Sequence, residues 1–380
     1  MNKFLDDNLC NNLREVINRT NIFFKDSEQS KKFNFICAIM DRFDFAVNYF
    51  NKNLDKPSTE IEFMTYLMQT SIIKDGINYC YKVLDLSQVT GNNIFKPFFE
   101  RDLECDNLNY SDDEFFEYFR SLAFAHPFKT DKSIPNSIEK EIQYSPYCLL
   151  NLYSFKEDNN AIGVYVYSNK RKAFSITFPF ETLKEYIQFK FNLITNIIEA
   201  FNNIITDMKS EWKKHKVNRQ LDSVGILKDI RNILKERYME HYLIDELIDY
   251  LDCELTDKSN QDNVSLFREK IVDLIPELCD AVDELNEDGI YSISHRVLNV
   301  RPKAHSMMYY QLEKIFCYLT DDNYGDVEWG LVQADEFSKG FAKRWVNMKP
   351  REMSFKEIRL LTSVACYLEY MEQNGSDENE

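Results

Sequence analysis

The chain has 380 residues, 44% of them hydrophobic, with 29 Phe, 22 Tyr, 9 Gly and 9 Pro. That is enough apolar material for a sizeable core, and at about 100–200 residues per domain it predicts two domains. So little Gly and Pro excludes a turn-rich all-β or low-complexity chain, and a net charge of −17 excludes a broadly basic surface for nucleic acid, leaving room only for a local basic cleft.

Residues 33–50 carry Phe35, Ile36, Ile39, Met40, Phe43, Ala46, Val47 and Phe50 at helical spacing. Thr59 with Glu62 has the form of a capping box and opens a helix to about Val83 that is apolar on most sides. Residues 88–110, with Gly91, Asn92, Asn93 and Pro97, read as a loop. A second capping box, Ser111 with Glu114, opens a helix bearing Phe115, Phe116, Phe119, Leu122 and Ala123. Pro127 ends it, because the residue before a proline is pushed out of the helical region.

From 145 to 180 the period changes. Tyr147–Phe155, Ile162–Tyr167 and Ala173–Phe178 are short β-rich runs, expected as a small antiparallel meander. One long helix is expected from Glu181 to Lys216, striped by Leu183, Ile187, Phe191, Ile194, Ile198, Phe201, Ile205, Met208 and Trp212. The pattern from Leu221 to about Glu372 is again helical. The tail from Asn374 to Glu380 is acidic and expected to be disordered. The expected architecture is therefore mostly α: a helical bundle over 1–220 with a β-meander inserted at about 145–180, then a C-terminal helical domain over 221–373.

Nine cysteines, at 10, 37, 80, 105, 148, 253, 279, 317 and 366, are scattered without a CxxC pair. Zinc-ligand spacing is absent. The odd count, together with a polar, acidic start unlike a signal peptide, predicts a reducing cytoplasm. No run of about 18 apolar residues exists, so no membrane association is expected. The sequence contains no GxxxxGK[ST], HExxH or GxSxG motif, and no cofactor is expected.

Chemistry concentrates in Arg120-Ser121-Leu122-Ala123-Phe124-Ala125-His126-Pro127. An arginine holds phosphate through a planar fork of donors and stays charged at any working pH. A histidine exchanges a proton near neutrality. On a straight helix positions six apart point about 240° from each other, so the two converge only if the last turn before Pro127 unwinds.

This segment resembles the signature of the HEPN superfamily, whose ribonucleases carry an arginine, four to six residues, then a histidine on an all-helical bundle. Here five residues separate Arg120 from His126, and Ser121 stands where the family more often has Asn, Asp or His. The resemblance covers roughly residues 1–216. The meander departs from the family's simplest form and the C-terminal half is not covered. What it implies is metal-independent endoribonuclease activity on RNA, with His126 moving a proton and Arg120 neutralising phosphate charge. It also implies a homodimer that pools two pairs, and the role of a toxin or abortive-infection effector in antiviral defence. A non-catalytic helical scaffold that binds a protein partner is the alternative.

Other candidates are weaker. Asp75, set among Ile72 and Ile73, is a candidate to orient Arg120 or His126, as is Ser121. Lys213 and Lys214 follow Trp212 and combine cations with an aromatic, as RNA contacts do. Arg296, Arg301 and His305 form a basic stretch in an acidic chain, a candidate RNA or regulatory-nucleotide contact; a solvated loop is the plainer reading. The C-terminal domain would sense or restrain, through a regulatory protein or nucleotide.

Overall fold

The computed structural model describes residues 3–86, 111–128, 141–150, 160–170, 172–304, 306–320 and 325–375. The loop expected at 88–110, the strand end at 151–155, His305 and residues 376–380 of the tail lie outside the described residues. The fold is mostly helical with a small antiparallel sheet, as the sequence predicts. It divides into two compact units, 1–206 and 207–380. No helix among the described residues is long and apolar enough to cross a membrane.

In the first unit, α1 (Asn8–Asn18), α2 (Ile22–Lys25), α3 (Ser30–Lys52) and α4 (Glu60–Val83) precede the motif helix α5 (Asp112–Arg120). The box at Thr59 and Glu62 forms in both directions and starts α4 at the expected place. Rings fill this interior: Phe23, Phe43, Phe50, Phe63, Tyr66, Phe116, Phe119, Phe180, Tyr186 and Phe191 are all fully buried. Phe119 meets Phe178 edge-on at 4.9 Å, and Phe116 stacks on Tyr186 at 5.4 Å. Such pairs are worth about 0.5–1.5 kcal/mol beyond the area they bury.

The meander comprises β1 (Gln143–Tyr144), β2 (Cys148–Leu149), β3 (Ala161–Ser168) and β4 (Phe174–Pro179). β3 is central, with β4 along one side and β1 and β2 sharing the other. Ile162, Val164 and Val166 of β3 face the core, and the alternate positions Tyr165 and Tyr167 occupy the opposite face.

The single helix expected over 181–216 is two: α6 (Phe180–Asn192) and α7 (Ile194–Trp212), parted at Leu193, whose amide bonds the carbonyls of Lys190 and Phe191. The apolar stripe runs straight through this tight turn, so periodicity does not register it. The two units divide within α7, not at the polar segment near 220. The end of α7 is held inside the second unit, where the buried Arg237 donates to the carbonyls of Trp212 and His215, both at 2.8 Å.

The second unit contains α8 (Ser223–Glu236), α9 (Tyr242–Asp252), α10 (Gln261–Asp283), α11 (Glu287–Ser294), α12 (Ser306–Tyr318), α13 (Val327–Lys339) and α14 (Phe355–Gly375). α8 pairs with α9, α12 with α13, and α10 lies against α8, α11 and α14. Its core is chiefly aliphatic, as with Leu227, Ile230, Leu247, Ile271, Leu278, Ile315 and Leu361. α14 takes in Asn374 and Gly375, expected in the tail.

Candidate active site at the end of the motif helix

Ser111 accepts from the Glu114 amide at 3.2 Å, and Glu114 accepts from the Ser111 amide at 2.8 Å. With Asp112, Asp113 and Glu114 in its first turn, α5 starts against favourable charge. Its apolar face buries Phe115, Phe116 and Phe119. A second face carries Asp113, Glu117 and Arg120, spaced i, i+4, i+7, so all three line one side.

This side meets cations from its neighbours. Lys190 of α6 donates to Asp113 at 2.8 Å, as do Asn78 of α4 and Tyr186 of α6, both at 2.7 Å. One turn on, Lys74 of α4, only 6% exposed, is ion-paired with Glu117. Glu117 also accepts from Nη2 of Arg120 at 2.7 Å. Burial alone pushes both carboxyls up. The Lys190 charge with its three hydrogen-bond donors at Asp113, and Lys74 with Arg120 at Glu117, outweigh it and hold each pKa below its ordinary value.

After Arg120 the helix widens. Ser121–Ala125 is a π turn, closed by the His126 amide on the Ser121 carbonyl at 2.8 Å. Turns of this i→i+5 type often sit at functional sites. His126 then leaves the helix at φ −142° and ψ 57°, so the helix starts and stops where the sequence predicts, and unwinding begins at Ser121 rather than at Pro127. The turn is anchored to the meander. Pro127 O accepts from the Ser145 amide at 2.7 Å, and Ala123 O from Cys148 Sγ at 3.7 Å.

Arg120 lies 6.0 Å above the Phe124 ring, and its Nε is a buried donor without an acceptor. An unmet buried donor costs about 1–3 kcal/mol; the Nε atoms of Arg231 and Arg359 in the second unit are buried and unmet in the same way. His126 is exposed. Among the described residues its ring makes no hydrogen bond or ion pair, and none joins it to Arg120.

The remaining candidates are placed differently. Asp75 is 63% exposed and pairs with Lys74 at 2.9 Å, not with Arg120 or His126. α4 is rotated so that the lysine, not the acid, faces inward. Among the described residues, Asp75 is linked to Arg120 through Lys74 and Glu117. Ser121 is buried and supplies the carbonyl that closes the π turn. Lys213 and Lys214 are exposed just past α7, Lys214 paired with Glu211. Arg296 pairs with Glu277 at 2.8 Å. Arg301 borders a cleft of about 170 Å³ with Glu313, Phe316 and Ser363.

Glu117, Lys74, Asp113 and Lys190 belong to no motif. The signal for the acids is their spacing with Arg120 on α5; nothing local marks the two lysines as inward. Among the described residues no group of three or more His, Cys, Asp or Glu could hold a metal ion. Comparison with protein-family models, with curated proteins and with solved structures finds no match.

Proposed function

We propose that the chain is a metal-independent endoribonuclease, with Arg120 and His126 as its working pair, acting as a homodimer in antiviral defence as a toxin or abortive-infection effector. The observation that carries this reading is the end of α5: an arginine with an unmet buried donor, followed by a π turn that delivers an exposed histidine. In the reaction, the 2′-oxygen of one nucleotide attacks the adjacent phosphorus and the bond from phosphorus to the 5′-oxygen breaks. His126 of one copy takes the proton from the 2′-hydroxyl, and His126 of the second copy gives one to the leaving 5′-oxygen. Arg120 neutralises the phosphorane oxygens. Glu117 keeps the guanidinium in place at 2.7 Å.

One observation favours the scaffold reading: Glu117 already balances the charge of Arg120 as an i, i+3 pair. Cleavage assays decide between them. His126→Ala and Arg120→Ala should each lower RNA cleavage about 10²–10⁴-fold with unchanged circular dichroism. Cleavage should persist in EDTA and leave 2′,3′-cyclic phosphate ends. Pure protein that leaves a broad panel of RNAs intact, or a double variant that cuts as well as the parent, would return the scaffold reading.

A further inference from the structure

Four tyrosines share the outer face of the meander. Tyr144 on β1 lies opposite Tyr167 on β3. The pairing of Cys148 with Val164 sets Tyr147 opposite Tyr165, and those two rings stack at 5.6 Å with planes 8° apart. Tyr165 and Tyr167 meet edge-on at 5.4 Å. The result is a two-by-two array of rings. Tyr144, Tyr147 and Tyr167 are 38%, 49% and 50% exposed, values high for side chains this large. Among the described residues none of the four hydroxyls makes a hydrogen bond. Beside Tyr165 the face continues with the small, exposed Ser175.

Among the described residues, two cations stand at one end of this array. Lys170 and Lys172 are exposed at the turn between β3 and β4, next to Tyr167. At the sheet, Glu141 is buried and accepts from Ser168 at 2.6 Å, and Glu60 accepts from the Cys148 amide at 2.9 Å. The array also adjoins the candidate active site. Ser145, between Tyr144 and Tyr147, donates its amide to the carbonyl of Pro127, the neighbour of His126.

We propose that this face is a stacking platform for the unpaired bases of single-stranded RNA, with Lys170 and Lys172 on the phosphates; the choice of RNA rests on the nuclease reading. Every base has a π face, so rings on an open surface bind bases with little regard to sequence. A duplex keeps its bases stacked inside and offers nothing to such rings. The platform would hold the strand beside His126 and select unpaired RNA.

The test measures fluorescence anisotropy of labelled single-stranded 12-mers and of a duplex of equal length, at fixed salt. The protein is the full-length His126→Ala variant, so that the ligand survives. Single strands should bind more tightly than duplex. Tyr147→Ala and Tyr167→Ala, at half-exposed positions where folding is least disturbed, should each weaken single-strand binding roughly five- to hundred-fold. Tyr147→Phe and Tyr167→Phe should bind like the parent, because the ring remains. The platform is overturned if the alanine variants bind single strands unchanged, if the phenylalanine variants lose as much as the alanine ones, or if the parent prefers duplex. Alanine variants that alter only the oligomeric state would reassign the face to a second copy of the chain. Cleavage by the wild-type sequence separates the two readings. Tyrosine-dependent binding with no cleavage sinks the nuclease and keeps the platform; cleavage untouched by the alanine variants does the reverse.

Discussion

The two units solve the problem of polar groups in the interior in different ways. In the second unit the inward polar side chains mostly serve the backbone. Arg237 binds three carbonyls, those of Trp212, His215 and Val282. Asn260 exchanges two hydrogen bonds with the backbone of Asn347, at 2.8 and 2.7 Å, and Glu357 takes the Thr256 amide at 2.7 Å. The set of Glu246, Tyr250, Arg359 and Ser363 departs from this pattern. In the first unit the charges of α5 serve each other through Lys74 and Lys190. Bonds between side chains are the minority class in proteins. The ladder ends at Arg120, the residue on which the proposed function rests.

The sharpest way to break this contrast is removal of one partner. Lys190→Met should destabilise the first unit by about 2–3 kcal/mol. That is below the ~3–5 kcal/mol of a fully buried pair, because Asp113 keeps 26% side-chain exposure. Adding Asp113→Leu should restore only part of the loss, since it relieves the unpaired acid but removes the acceptor of Asn78 and of the buried Tyr186 hydroxyl. Arg237→Met should cost about 1–3 kcal/mol with no such rescue, because its partners are carbonyls that no substitution removes. Urea titrations read all three. A double variant as stable as the parent would show that Asn78 and Tyr186 do not depend on Asp113.

Acid should separate the units next. Asp113 and Glu117 both titrate below their ordinary values when folded. Groups depressed in this way contribute stability above their ordinary pKa values, 3.8 and 4.5, and that contribution is lost as pH falls through the folded values. Arg237 stays charged throughout. The three tryptophans, Trp212, Trp329 and Trp345, all belong to the second unit. Below about pH 4, far-UV circular dichroism should therefore move before tryptophan fluorescence does. Coincident transitions, or fluorescence moving first, would contradict the assignment.

The smallest effect concerns packing. A Cβ at Gly76 would stand 2.5 Å from the Phe43 ring, whereas one at Gly330 meets nothing closer than 2.9 Å. Alanine gains about 1 kcal/mol of helix propensity at either site. Overpacking against a rigid ring costs about 1–3 kcal/mol, so Gly76→Ala should be destabilising by about 1 kcal/mol and Gly330→Ala near neutral. Thermal melts of the two variants check the difference, and equal shifts would show that the aromatic interior has as much slack as the aliphatic one.

Much of the fold is legible in the chain because its signals are local. Both capping boxes form where the Thr59/Glu62 and Ser111/Glu114 spacing puts them. β3 and β4 fall within a residue of the alternating runs at 162–167 and 173–178. β1 escapes because two residues set no period. The break at Leu193 escapes because the stripe runs across it. The rotation of α4 is illegible for a related reason. A helix apolar on most sides has no preferred inward face, so sequence alone does not decide that Lys74 turns in and Asp75 out. At the site, the arginine, the histidine and the end of the helix can be read from the motif and Pro127. The partners of Arg120 itself, Glu117 and Phe124, are local, but the lysines that pair the acids of α5 come from distant chain positions, and the π turn depends on how the meander anchors Pro127.

That π turn has a consequence for length. An i→i+5 turn holds one residue more than the α turn it replaces. It acts as a one-residue shim between a rigid rod, which ends at Arg120, and a peg fixed to the sheet at Pro127. The sequence distance from arginine to histidine is then set by the gap to be filled and not by helical phase. A chain lacking Ala125 could close the same gap with an α turn, leaving the rod and the peg where they are. Unchanged melting of such a deletion, beside a collapse on deleting a residue within Asp112–Arg120, would show the shim directly.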